Sequence, residues 1–187
     1  MNLQAMFDLL KEASQLSNHR EFVVIGSLSI LALEEHFEIP DDMTMSNDID
    51  CYTKADPERI FDVVPLLGEN SPRHKASGYF IDAVTPALPS LPDGWEGRMI
   101  GVERDGIVAW FLDSNDAALS KYARGEPRDR RWIRAGIQAN VVSIATLKSR
   151  FRSVDFLDQE EEDRAKALIR EDEVWFKAAR ADEDKRR

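Results

Sequence analysis

Leu3, Met6, Phe7 and Leu10 recur within "NLQAMFDLLKEA" at the i, i+3, i+4, i+7 spacing of an amphipathic helix. "REFVVIG" follows as a short strand of β-branched and aromatic residues ending at Gly26. "SLSILALEEHF" predicts a helix capped by Ser27, with Leu28, Leu31 and Ala32 turned inward. "EIPDDMTMSN" reads as a loop and "DIDCYT" as a strand. Asp56-Pro57 opens a helix over "PERIFDVVPLL", which Pro65 is expected to end or kink. "GYFIDAVTP" is a strand closed by Pro86, and "ALPSLPDGWEGR" a connector rich in proline and glycine. "MIGVERDGIVAWFLD" divides into two strands about the turn Asp105-Gly106.

From Ser114 onward the spacing is helical, through "SNDAALSKYAR", "PRDRRWIRAGIQAN", "SIATLKSRF" and "DQEEEDRAKALIREDEVWFKAARADED". No internal repeat is present. The expectation is an α/β (α+β) protein. Residues 1–113 would form a mixed sheet flanked by helices, and residues 114–187 a helical C-terminal region packed on it, with no long linker between them. At 187 residues the chain buries enough surface to fold without disulfides or a structural metal. Cys51 is its single cysteine, and its opening is not that of a signal peptide. No apolar run approaches a membrane span. A soluble cytoplasmic protein is expected.

The net charge of −10 argues against a uniformly basic nucleic-acid-coating protein. The charge is uneven, however. Between Ser120 and Arg152 lie nine lysines and arginines against two acids, Glu126 and Asp129, a local +7 that leaves −17 on the remainder. One basic face for a phosphate-bearing ligand is compatible with that asymmetry, although arginines also decorate ordinary solvated helices.

Three short features carry candidate chemistry. In "SNDIDCY" strand alternation puts Asp48 and Asp50 on one face and Ile49 and Cys51 on the other. Two crowded carboxylates resist joint ionisation, and magnesium bound by one or two carboxylates and phosphate oxygens relieves this. A solvated strand end is the plain alternative. Gly26-Ser27, where a strand gives way to a helix, suits a phosphate at the helix start, and equally an ordinary capped turn. Asp82 stands among Phe80, Ile81, Ala83 and Val84, where an acid needs a partner: a distant arginine, or a metal shared with the other two. His19, His36 and His74 have no metal-ligand spacing, and the four tryptophans are read as packing groups. The acidic tract from Asp158 is read as a solvated helix with i,i+4 pairs such as Glu162–Lys166.

Together, the strand, Gly-Ser, Asp-x-Asp strand and later single-Asp strand between Glu21 and Asp82 resemble the core of the nucleotidyltransferase superfamily. "LPDGWEGRMIGV" and "LDSNDAALSKYARGEPRDRRWI" extend the likeness to an uncharacterised bacterial nucleotidyltransferase-like family related to AbiEii-type toxins, including the MenT group. Lys121 and the "RDR" around Asp129 fit two further motifs of that group, with Arg128 where a lysine is usual. The resemblance implies a nucleotidyltransferase-like sheet and a magnesium-dependent transfer from a nucleoside triphosphate to an RNA (transfer RNA included) or protein acceptor. It implies Asp48, Asp50 and Asp82 as catalytic metal ligands, and Gly26, Ser27, Lys121 and Arg128 as nucleotide-binding residues. Asp129 would orient Lys121 or an arginine through the turn at Gly125-Glu126-Pro127. The basic stretch 121–152 is the expected RNA contact, and an antitoxin protein an expected partner. The alternative is a catalytically inactive module of the same fold that binds nucleotide or a partner protein.

Overall fold

The computed structural model of the chain describes the backbone of residues 1–186 and the side chains through residue 182. Its residues group into two compact units. The first holds Met1–Pro89 and Trp95–Asp113, the second Ser90–Gly94 and Ser114–Arg187. The architecture is α/β, with a five-stranded mixed sheet flanked by helices and a helical C-terminal part.

In the first unit, helix α1 (Leu3–Ser17) starts at Asn2, whose side chain accepts the Ala5 N–H, and stops at Asn18 in the left-handed conformation. It buries Leu3, Met6, Phe7, Leu9, Leu10 and Ala13. The strands are β1 (Glu21–Val24), β2 (Asp48–Thr53), β3 (Phe80–Ala83), β4 (Ile100–Arg104) and β5 (Ile107–Phe111). They lie in the order β3-β2-β1-β5-β4. β1 is antiparallel to β2 and parallel to β5, while β2 and β3 are parallel. Phe22, Val23 and Val24 are all buried, so both faces of the central strand are covered. The β4–β5 hairpin turns at Asp105 and Gly106, both at positive φ, as an Asp-Gly turn between strands requires.

Several local details differ from the expectation. The segment after Gly26 is a 3-10 helix, Ser27–Leu33, with Gly26 and not Ser27 as its cap. Gly26 sits at φ +72°, and the Ser29 hydroxyl donates to its carbonyl at 2.9 Å, which tightens the turn beyond α geometry. Ser29 and Ile30 are buried there, whereas Ala32 is only half-buried. Within the expected loop, Asp41–Thr44 forms one helical turn, α2, anchored by buried Met43. The helix expected over 57–67 is interrupted just ahead of Pro65, where the 3-10 helix Pro57–Val63 gives way to α3 (Val64–Leu67) with Pro65 in its first turn. Helix α4 (Pro72–Ser77) comes next, capped by the Ser71 side chain and ended by Gly78 at φ +76°.

The second unit contains α5 (Ser114–Arg124), α6 (Pro127–Gln138), α7 (Ile144–Arg150) and α8 (Gln159–Arg186). Gly125 at positive φ and Pro127 at the first turn separate α5 from α6. Among the described residues, the intrahelical ion pairs of α8 are Glu160–Arg164 and Glu173–Lys177. Glu162 instead accepts from Gln159 at 3.3 Å, so the expected Glu162–Lys166 pair is replaced.

Candidate functional site

Alternation along β2 leaves Ile49 and Cys51 wholly buried and turns Asp48 and Asp50 to the other face, half-buried. β3 adds the third acid. In the parallel β2–β3 register Asp50 pairs with Asp82, and paired residues on neighbouring strands share a face. One carboxylate oxygen from each of Asp48, Asp50 and Asp82 lies within 4.8 Å of the others. Among the described residues this is the one group of three or more His, Cys, Asp or Glu side chains so placed.

The cluster is held from several sides. The Ser46 hydroxyl donates to Asp48 Oδ1. The Ile25 N–H donates to the Asp50 carbonyl at 2.9 Å, tying the end of β1 to β2. Gly26 then passes so close that a Cβ built on it would fall 2.0 Å from Asp50 Oδ2. Any other residue would be strained by that φ and would force the Asp50 side chain to shift. The segment that follows Gly26 is the 3-10 helix Ser27–Leu33 rather than an α-helix, and its backbone runs beside the carboxylates with Ser27 half-buried.

Electrostatics set Asp82 and Cys51 apart. Burial, then the Asp48 charge, then that of Glu69, raise the Asp82 carboxyl above the ordinary carboxylate range. Burial, then the charges of Asp50 and Asp82, push the Cys51 thiol far upward, so it stays protonated as a core group. Among the described residues Asp82 has no cationic partner. The donor set is all carboxylate oxygen, with no nitrogen or sulfur, and suits a hard divalent cation such as magnesium.

Lys121, Arg128 and Asp129 belong to the helical unit. Asp129, 2% exposed, accepts two hydrogen bonds from Arg124 at 2.8 and 2.6 Å and one from Lys121 at 3.4 Å. Arg124 is therefore its principal partner, bonded in the fork geometry that only arginine offers. Burial opposes the charge on Asp129, but Arg124 and Lys121 outweigh it and hold the carboxyl below its ordinary range. Buried Lys121 also lies 5.0 Å from the centre of the Trp132 ring, which accounts for that tryptophan as a packing group. Arg128 is exposed in the first turn of α6. Sequence spacing gave no sign of two other buried acids here. Asp172 accepts from Tyr122, Arg130 and Arg134, and Asp116 from Arg150.

His74 accepts the Asn70 N–H and packs its ring 4.6 Å from that of Phe80, a capping and packing role. No helix among the described residues is long and apolar enough to cross a membrane.

No curated protein and no solved structure matches the chain. A family model described as "Nucleotidyltransferase of unknown function (DUF6036)" matches residues 4–181, across the carboxylate-bearing sheet and the helices that follow it. The chain belongs to this nucleotidyltransferase family.

Proposed function

We propose that the protein transfers a nucleotidyl group from a nucleoside triphosphate to the hydroxyl of an RNA, transfer RNA included, or of a protein, in a magnesium-dependent reaction. We further propose that it does so as the toxin of a toxin–antitoxin pair akin to the AbiEii and MenT groups. The convergence of Asp48, Asp50 and Asp82 within 4.8 Å carries the reading. Three like charges that gather at a strand edge with one carboxyl raised are best explained by a cation that all three hold. When bound there, magnesium supplies positive charge to the phosphates during in-line displacement.

The protein's own groups have distinct tasks. Asp82 is exposed, and its raised pKa suits it to accept the proton of the attacking hydroxyl. The acceptor oxygen bonds to the α-phosphorus as the bond to pyrophosphate breaks, and the hydroxyl proton passes to Asp82. Gly26 and Ser27 offer a close backbone approach for phosphate. Lys121 and Arg128 take their phosphate-binding roles from the family resemblance alone. Asp129 is a positioning residue for Lys121 and Arg124, and Arg124, half-exposed, is the cation of that trio that solvent reaches.

Each labelled triphosphate should be incubated with the protein, magnesium and, in turn, transfer RNA, total RNA and protein acceptors. One combination should transfer label, and Asp48→Asn or Asp50→Asn should reduce the rate by about a thousandfold or more. Equal behaviour of wild type and both variants in every combination would leave a nucleotide- or partner-binding module instead.

A further inference from the structure

A cavity of about 700 Å³ lies within the helical unit, walled by the end of α7, the 3-10 turn Phe151–Ser153 and one face of α8. Phe151 and Phe156 supply its aromatic side, with ring centres 5.1 Å apart and planes tilted by 49°. Arg152, Lys166 and Arg170 supply a cationic side. Lys166 and Arg170 stand four residues apart on α8, where like charges repel.

The acids of the cavity do not neutralise these three. Glu173 is bonded at 2.9 Å to both Lys148 and Lys177, which hold its carboxyl down at about 2. Glu162 accepts from the neutral Gln159 and keeps its charge, so in the lining Lys148, Arg152, Lys166 and Arg170 face two acids and leave an excess of positive charge. Arg152, Lys166 and Arg170 form no ion pair or hydrogen bond with any described residue, in a chain whose acids outnumber its bases by ten. An excess of cations beside two phenyl rings calls for an anion that carries a flat apolar ring. The volume falls in the usual range for small-ligand sites, about 300–1,000 Å³.

We propose that this cavity binds one nucleoside monophosphate unit, with the base against Phe151 and Phe156 and the phosphate on Arg152, Lys166 and Arg170. Base stacking on an aromatic side chain and forked arginine contacts to phosphate are the interactions it offers. The unit arrives either as a free nucleotide or as one residue of a single-stranded RNA. Neither the carboxylate cluster nor magnesium takes part, so the proposal is independent of the transfer reaction.

The test is binding in chelator, by calorimetry and fluorescence anisotropy, with the four ribonucleoside monophosphates, a short labelled oligoribonucleotide and inorganic phosphate. A monophosphate or the oligonucleotide should bind, and K166E/R170E should weaken it by about tenfold or more. Both residues are exposed, so the variant should keep the wild-type circular dichroism spectrum and melting temperature. Arg152→Ala, also at an exposed position, should weaken binding in the same direction. Binding should persist in the Asp48→Asn/Asp50→Asn protein, which separates this site from the transfer centre. Tighter binding of the monophosphate identifies a free nucleotide, and tighter binding of the oligonucleotide an RNA strand. The proposal is overturned if neither binds, if K166E/R170E binds as wild type does, or if inorganic phosphate binds as tightly as either.

Discussion

Asp82 and Asp129 are both aspartates near other charged groups, yet their environments drive them in opposite directions. On the sheet, burial and the neighbouring acids Asp48 and Glu69 raise the Asp82 carboxyl. In the helical unit Asp129 is more deeply buried, but Arg124 and Lys121 reverse the penalty and lower its carboxyl. Asp116 and Asp172 repeat the second arrangement, each wholly buried and each bonded to arginine. An acid whose cation is built into the fold stabilises that fold above its titration range. An acid set among other acids detracts from stability until something from outside neutralises it.

The contrast can be broken at three places. Asp129→Ala removes the shared acceptor of a buried lysine and a forked arginine, and should cost about 3 kcal/mol in urea unfolding. Because the folded pKa of Asp129 is lowered, its contribution in wild type is present above the ordinary carboxylate value. It should fade as pH falls through the folded value. A loss no larger than that of a typical exposed substitution would remove the structural half of the comparison.

Gly26→Ala should cost less, about 1–3 kcal/mol, from the strained φ and the forced shift of Asp50. Its sharper signature is functional: magnesium should no longer raise the melting temperature as it does in wild type. If the alanine protein responds to magnesium like wild type, the close packing of Gly26 on Asp50 does not shape a cation site.

The smallest effect is expected from Asp82→Asn. Its target carboxyl is raised, so ionised wild-type protein loses stability as pH rises from the ordinary carboxylate value through the folded one. In chelator at neutral pH the asparagine variant should melt about one or two degrees higher than wild type, since solvent screening keeps the repulsion small. The difference should vanish in acid, where both side chains are neutral. A lower melting temperature for the variant at neutral pH would show that Asp82 has a stabilising partner.

Much of this contrast was legible from spacing. Period-2 alternation in "DIDCY" sufficed to sort Asp48 and Asp50 from Ile49 and Cys51, because side-chain direction in a strand is a local property. The meeting of Asp50 with Asp82 is a matter of strand pairing across a long stretch of chain; the residues alone leave it as one of two options for Asp82, beside a distant arginine, and the resemblance to a known core favours it. The turn at Gly26 misled for a related reason. Its sequence suits an α-helix start, but the Ser29 bond back to the Gly26 carbonyl and the close passage of Asp50 select a tighter helix. Helix α4, which starts at Ser71-Pro72 and stops at Gly78, lies in a stretch for which no element is expected. Asp129 is expected to meet Lys121 or an arginine through the turn at 125–127, but that Arg124 is the closer of the two depends on how the turn folds, and the cavity beside Phe151 depends on helices meeting in three dimensions.

Ser90–Gly94 adds a topological consequence. This short stretch is encoded between β3 and β4 but belongs with the helices: Leu91 is buried, Pro92 bridges to Val154, and the Asp93 N–H donates to the Ser153 carbonyl. The polypeptide therefore visits the helical unit, returns to finish the sheet, and leaves again at Ser114. Neither unit is a contiguous cassette, so a cut at Ser114 would strip the helices of a strand-like clasp, and simple end-to-end fusion of two ancestral modules does not account for this thread.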